Sequence, residues 1–344
     1  MKYKVLSIGE RVPASFLNIG DYIQGVASAQ FLPTVDGFID REEVGKYAGE
    51  ECKVIMNGWF KHFQDGWPPS EKIKPLFLSF HINSTAKEWM LSDKSIAYLK
   101  KYEPIGCRDH STRDLLIARG VKAYFSGCMT LTLGEKYKSK EKDNQIYFVD
   151  PYYSFSKKPI KVLKNLWNLI IHYKKIKHVA SKFDCCWWCK SYKKLFITSY
   201  FYNQYRQVFS DEILLNAKYI CQENAKYKDD FHSPQELFNE AERLIKLYAR
   251  AKFIVTSRIH CALPCLGLET PVIYVENKQQ QETSACRLDG LRELFNVIDF
   301  SKEKLSVKFS SSLPITSYFI FTNKETWRTL TPHLKKRCRT FVEA

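Results

Sequence analysis

The chain has 344 residues, 45% of them apolar and 26% charged, and a formal net charge of +16. That length exceeds what one core usually holds and points to two domains of ordinary globular composition. A membrane span needs roughly 20 uninterrupted apolar residues, and the longest apolar runs, such as PLFLSF and FIVT, are only strand length.

The opening MKYKVLSIGE goes straight into a strand-like run with no long apolar stretch, which reads as a chain without a secretory signal. Its eleven cysteines have no regular spacing and then read as reduced thiols in a cytoplasmic protein. Short apolar runs predict strands at 3–8 (YKVLSI), 53–57, 75–80, 104–107, 123–126 and 145–149. A second series follows at 194–199 (KLFITS), 217–221, 252–256, 271–275 and 296–299. Helical periodicity separates them at 21–31, 85–101, 109–119, 160–178, 234–250 and 283–295. Strands alternating with helices predict an α/β chain with parallel sheets covered on both faces. Two series predict two Rossmann-like domains facing a cleft, one over residues 1–155 and the other over 156–320. The tail 321–344 reads as a helix packing back on the first domain, with Thr322 or Asn323 as its cap.

Charge is concentrated where the second domain begins. Eleven lysines and one acid, Asp184, fall between Lys157 and Lys194, with Trp167, Trp187 and Trp188 interleaved. Such a segment suits an anionic surface, or it is a solvated basic helix pair.

In open α/β sheets ligands bind beyond the carboxyl ends of strands, so the residues there carry the chemistry. Three strand ends stand out. The first is NIGDYIQ at 18–24, where Gly20 permits close backbone approach. There Asn18 or Asp21 caps the following helix, or Asp21 faces the cleft as a carboxylate that takes a proton from a sugar hydroxyl. The dinucleotide pattern GxGxxG is absent. In the second, IGCRDHST at 105–112, Arg108 beside a helix start forms a carboxylate or phosphate site, or simply pairs with Asp109. His110 reads as an exposed helix-start residue. The third is TSRIHCALPC at 256–265. Ser257 can cap, Arg258 offers a planar donor fork to an oxyanion, and His260 can exchange a proton near neutral pH. Cys185, Cys186 and Cys189 resemble half a zinc site with no second pair, and Cys128 and Cys261 read as packing residues.

In this order, NIGDYIQ, NGWF at 57–60, FLSFHI at 77–82, IGCRDHST, FSGCMTLTL at 125–133 and TSRIHCALPCLGLETPVI at 256–273 resemble the polysaccharide pyruvyl transferase family. The resemblance runs from about residue 4 to 300 and is weakest in the basic segment and the tail. It implies a fold similar to the GT-B glycosyltransferases and phosphoenolpyruvate as donor. The implied acceptor is a sugar of a cell-surface polysaccharide, such as an exopolysaccharide or capsule, or of its polyprenyl-linked precursor. The product would be a pyruvate ketal, with phosphate released. The family's arginine and histidine match Arg258 and His260, its second arginine Arg108 and its aspartate Asp21.

Phosphoenolpyruvate carries two anionic ends, so two arginines at helix starts are a suitable receptor. His260 is then expected to be the general acid, with Asp21 handling the acceptor hydroxyl. Arg108, Arg258, Ser257, Asn18 and Gly20 are expected around the substrate, with Arg287 from RLDGLR (287–292), after QETS (281–284), as a further contact. No metal-ligand cluster is visible, and no cofactor beyond the co-substrate is expected. The basic segment is expected to hold the enzyme at the anionic inner face of the plasma membrane, and no nucleic-acid partner is expected. Two rival readings are a nucleotide-sugar glycosyltransferase using Glu276 or Glu282 on the ribose, and a non-catalytic basic protein.

Overall fold

A computed structural model describes residues 1–9, 11, 17–183, 191–224, 226–277, 286–301 and 304–344. Twelve strands are described: β1 (Lys2–Ser7), β2 (Phe38–Asp40), β3 (Cys52–Phe60), β4 (Ile73–Ile82), β5 (Ile105–Cys107), β6 (Ala123–Phe125), β7 (Ile146–Val149), β8 (Lys218–Ile220), β9 (Phe253–Thr256), β10 (Val272–Asn277), β11 (Asn296–Ser301) and β12 (Lys304–Val307). They form two six-stranded sheets, ordered β2-β1-β3-β4-β5-β6 and β12-β11-β10-β9-β7-β8. Every pairing is parallel except β11 with β12.

The helices are α1 (Ile19–Ala29), α2 (Lys87–Met90), α3 (Asp93–Lys100), α4 (His110–Ala118), α5 (Gly134–Tyr137), α6 (Pro159–Ile171), α7 (Tyr173–Lys182), α8 (Ser191–Tyr205), α9 (Asp211–Asn216), α10 (Lys226–Asp230), α11 (Pro234–Arg250), α12 (Ile259–Gly267) and α13 (Thr331–Glu343).

Parallel strands are buried on both faces, and each sheet shows it. In β7, Tyr147 and Val149 join a cluster shared with α1, α11 and α12, whereas Phe148 faces Ile176, Phe201 and Tyr205 on the other side. The shared cluster also takes Val5 and Ile55 from the first sheet and Ile254 and Tyr274 from the second. The two sheets therefore meet through one continuous apolar layer, and strand ends from both reach the same place.

Several sequence expectations change. The strand counted last in the first series, β7, hydrogen-bonds to β8 and β9, so the second sheet begins at Ile146 and not after residue 155. The segment 194–199 lies in helix α8, where Ile197, Phe201 and Tyr205 recur every fourth residue and are buried. Its β-branched and aromatic composition hid that longer period. The helix predicted over 283–295 is, from Cys286 onward, two single 3-10 turns separated by Gly290 at φ +82°. The predicted helix 160–178 breaks at His172, and 85–101 divides into α2 and α3.

The tail helix starts at Thr331. Asn323 does not cap it; its Oδ1 accepts from Val272 N–H at 2.9 Å and its Nδ2 donates to Thr270 O at 2.8 Å. Leu334 and Cys338 of α13 enter the shared core, and Lys53 Nζ donates to Phe341 O at 2.9 Å, which ties the tail to β3.

Candidate functional site

The turn after β9 supplies the first wall. Thr256 Oγ1 donates to Val149 O and accepts from Arg258 N–H, which fixes the chain as it leaves the sheet. Ser257 does not cap α12; its Oγ accepts from Tyr152 N–H at 2.8 Å. The cap position belongs to Arg258, with no side-chain cap bond, and His260 sits in the first turn with non-helical angles (φ −86°, ψ 18°).

Arg258 is held by two acids. Its Nε donates to Asp150 Oδ2 at 2.9 Å and its Nη1 lies 2.5 Å from Glu223 Oε2. Burial alone would lower its pKa, but Asp150 and Glu223 outweigh that and raise it. Asp150 itself sits at φ +41°, and its carboxylate also accepts from Gln222 N–H at 2.9 Å. A non-glycine residue held in that region is strained, and such strain gathers at functional sites.

The second wall comes from β5 and α4. Arg108 follows β5 directly and is fully buried. Its Nε and Nη2 have no hydrogen-bond partner among the described residues. Asp109 does not neutralise it at bonding distance: the nearest approach is 3.9 Å. The Asp109 carboxylate is turned elsewhere, capping α4 through Thr112 N–H at 2.8 Å and lying 2.5 Å from His81 Nδ1. Burial opposes its charge, yet these bonds and the positive charge of Arg108 keep its pKa low. Burial and Arg108 push His81 down to about 4 against the pull of Asp109. An ionised Asp109 facing a neutral His81 that carries its proton on Nδ1 satisfies both directions.

Helix α1 closes the site. Asn18 is its cap, with Oδ1 accepting from Gly20 N–H at 2.8 Å, so Asp21 lies in the first turn. A Cβ on Gly20 would stand 2.9 Å from both Asn18 Oδ1 and His260 Cβ, which is why only glycine fits here. Gln24, one turn on, donates from Nε2 to Asp21 Oδ1 at 3.0 Å and lies 3.4 Å from His260 Nδ1. Its backbone is fixed by Asn57, whose Nδ2 donates to Gln24 O at 2.9 Å beside the bulge at Gly58. Asp21 Oδ1 lies 3.7 Å from Arg41 Nη1. Arg41 is also buried; its Nε lies 3.7 Å from Glu42 Oε1, and neither Nε nor Nη2 has a hydrogen-bond partner among the described residues.

His260 is where these elements converge. Arg108 Nη1 lies 3.4 Å from its Nε2, and Gln24 Nε2 stands as far from Nδ1. A guanidinium and an amide NH₂ only donate, whereas a neutral imidazole has one lone pair and an imidazolium none. The free site therefore opposes protonation of His260. Its pKa is driven well below the ordinary value by burial first, and then by Arg108, Arg287 and Arg41. A cavity of about 80 Å³ opens beside it, walled by Asn18, Gln222, Ser257, Arg258, His260, Tyr274 and Arg287. That volume holds several waters or one small anion. Arg287 keeps a buried Nε without a partner among the described residues.

The structure thus brings together Asn18, Gly20, Asp21, Arg108, Ser257, Arg258, His260 and Arg287. Sequence reasoning missed Gln24, Arg41, His81, Asp150, Gln222 and Glu223. Gln24 and His81 lie inside the quoted motifs NIGDYIQ and FLSFHI and were within reach of that signal. Arg41, Gln222 and Glu223 carry no local pattern and arrive by tertiary folding. Cys128 is buried with Sγ 3.2 Å from Thr130 Oγ1, and Cys261 is buried in the shared core, both as packing residues. His110 is not simply exposed, since its ring lies 4.2 Å from that of Phe125. Glu276 accepts from Arg292 Nε at 2.6 Å. Glu282, the QETS run and the cysteines at 185, 186 and 189 lie outside the described residues. Among the described residues no group of three or more His, Cys, Asp or Glu side chains has the spacing of a metal site.

Residues 18–279 match the family model described as polysaccharide pyruvyl transferase. No curated protein matches the sequence significantly. Among solved structures, the chain is similar to an uncharacterized protein from Klebsiella pneumoniae subsp. pneumoniae at 13% identity and a TM-score of 0.41, over 87% of this chain and 93% of that one.

Proposed function

The chain belongs to the polysaccharide pyruvyl transferase family, and we propose that its site uses phosphoenolpyruvate as donor. Pyruvyl transfer onto a glycan is the family's reaction; the donor and the roles of individual residues are our reading. In that reading two acceptor hydroxyls form two C–O bonds to C2 of the enol, and the C2–O bond to phosphate breaks. One hydroxyl proton is balanced by the proton gained at C3 and the other by the released phosphate.

The observation that carries this reading is Arg108. It is a fully buried guanidinium with two unpartnered nitrogens, beside the only histidine on the cavity wall among the described residues. A buried cation whose nearest carboxylate stands off at 3.9 Å is costly unless an anion arrives to share its site. Arg108 and Arg287 would take the phosphate and carboxylate, with Arg258 holding the turn and meeting the ligand at the rim. A bound anion draws Arg108 away from His260 Nε2 and offsets the positive potential that keeps the imidazole neutral. His260 then accepts a proton and delivers it, as general acid, to C3 or to the departing phosphate oxygen. Asp21, coupled to His260 through Gln24, would take the proton of an acceptor hydroxyl. Oriented anion binding supplies the remaining barrier reduction.

The acceptor is a glycan, and we read it as a surface polysaccharide or its polyprenyl-linked precursor. The exposed lysines of the 157–194 segment would then hold the enzyme at an anionic membrane surface. No described helix is long and apolar enough to cross a membrane.

The test is incubation with phosphoenolpyruvate and lipid-linked galactose, mannose or N-acetylhexosamine acceptors, following phosphate release and the mass gain of one pyruvate ketal. His260→Ala should fold and lose activity by about 100-fold or more. Near-normal turnover by that variant would remove His260 from the chemistry. Thermal stabilisation by uridine diphosphate sugars but not by phosphoenolpyruvate would overturn the donor assignment.

A further inference from the structure

Helix α6 turns a broad apolar stripe away from the core on which it lies. Its one fully buried residue is polar: Asn165 donates from Nδ2 to Ser199 Oγ at 2.5 Å and accepts from Asn203 Nδ2 at 3.0 Å. These bonds clamp α6 to α8, with half-buried Leu169 packing against the core beside them, and aim the opposite side outward. That outer side is apolar. Ile160, Leu163, Trp167 and Ile170 are 83%, 66%, 64% and 68% exposed. Their spacing of three, four and three residues puts them on one stripe. A stripe of this kind normally seeks a core, and here it faces away from one.

Lysines border the stripe. Lys157 and Lys158 precede the helix, Lys164 lies within it, and Lys174 and Lys177 follow on α7, all exposed. No Asp or Glu occurs between Pro159 and Lys182. The occupant must therefore be apolar in depth and anionic at its surface. A second copy of the chain meets only the first condition, because two-fold pairing through α6 would set lysines against lysines.

We infer that α6 lies in the interface of an anionic lipid bilayer, with Ile160, Leu163, Trp167 and Ile170 below the phosphates and the lysines level with them. This rests on the membrane reading of the lysine segment and adds insertion to it. Electrostatic adsorption alone is released by salt, whereas a buried apolar stripe is not.

Flotation of the full chain with vesicles tests this, using phosphatidylglycerol mixed with phosphatidylcholine against phosphatidylcholine alone, at low and high salt. The parent should float with the anionic vesicles and keep part of its binding at high salt. The double variant Trp167→Glu, Ile170→Glu should bind roughly tenfold or more weakly and lose the rest to salt, with an unchanged melting temperature, because both sites are exposed. Lys157→Glu with Lys164→Glu should weaken anionic binding while sparing the stripe.

If the apolar variant binds like the parent and salt releases both, insertion falls and the lysine reading stands. If the parent floats with no vesicle, both fall. A dimer in sedimentation equilibrium that the apolar variant dissociates would assign the face to a second copy and overturn the proposal. None of these readouts uses turnover, so the phosphoenolpyruvate reading stands or fails separately.

Discussion

Arg108 and Arg258 occupy the same local architecture, a parallel strand that ends, an arginine and then a helix. Their electrostatics are opposite. Arg258 faces Asp150 and Glu223 at bonding distance and is anchored by them. Arg108 is buried more deeply; Asp109, 3.9 Å away, is turned to His81 and to the cap of α4, and no acid among the described residues hydrogen-bonds to Arg108. An arginine at a strand end is therefore not in itself an anion receptor. In the reading proposed above, what makes it one is that no carboxylate among the described residues holds it at hydrogen-bond distance. In this site two carboxylates hold Arg258 in its turn, and Arg108 is the arginine proposed to meet the ligand.

The comparison breaks most readily at Arg108. Arg108→Met should cut turnover by about 100-fold or more, and its thermal stability should change less than that of Arg258→Met, because the desolvation cost it removes offsets the loss of the 3.9 Å pairing with Asp109. A variant that melts early yet still turns over would make Arg108 structural. Next in size is Gly20→Ala, whose Cβ would press on His260 Cβ and Asn18 Oδ1. Overpacking of this kind costs about 1–3 kcal/mol, and displacement of His260 should reduce kcat by roughly tenfold or more. Denaturant titration alongside kinetics separates the two effects.

Arg258→Met should behave in the reverse sense to Arg108→Met. It leaves Asp150 and Glu223 without their cation, and stability should fall by about 1–3 kcal/mol. Turnover should fall less than in Arg108→Met, and adding Glu223→Gln should recover part of the stability. Equal losses of turnover at the two arginines would erase the distinction between them.

The smallest expected effect on turnover is a pH dependence of stability. His81 titrates near 6.5 in the unfolded chain and at about 4 when folded. Between those values the unfolded state binds more protons, so stability is full above the upper one and falls as pH drops toward the lower. The slope approaches about 1.4 kcal/mol per pH unit. His260, depressed in the same direction, adds to it. Melting temperatures across that window should flatten in His81→Gln. An unchanged slope would mean that folding does not depress the His81 pKa.

Much of the site was legible because its residues are local signals. Asn18, Gly20 and Asp21 sit together where a strand hands over to a helix, and the SR-x-H turn stands between two apolar strands. Glycine, a capping side chain and an arginine fork each leave a mark on the sequence that needs no knowledge of what lies across the cleft. The helical nature of 194–199 was not legible, since its β-branched and aromatic residues mask a period of four that only packing against Phe148 reveals. Nor was the membership of β7 in the second sheet, because strand partners are chosen by three-dimensional crossover, not by neighbourhood along the chain.

By itself the sequence determined that this is an α/β chain of two sheets, that its charge gathers on one segment, and which strand ends carry the polar chemistry. These follow from periodicity, composition and backbone freedom, all of which act over a few residues. Only the tertiary structure decided which arginine is compensated, that Gln24 and Arg41 join His260, and that α6 turns its apolar side outward. Each of those depends on what one side chain meets from a distant part of the chain. Burial and counter-charge are properties of the meeting, and no short stretch contains them.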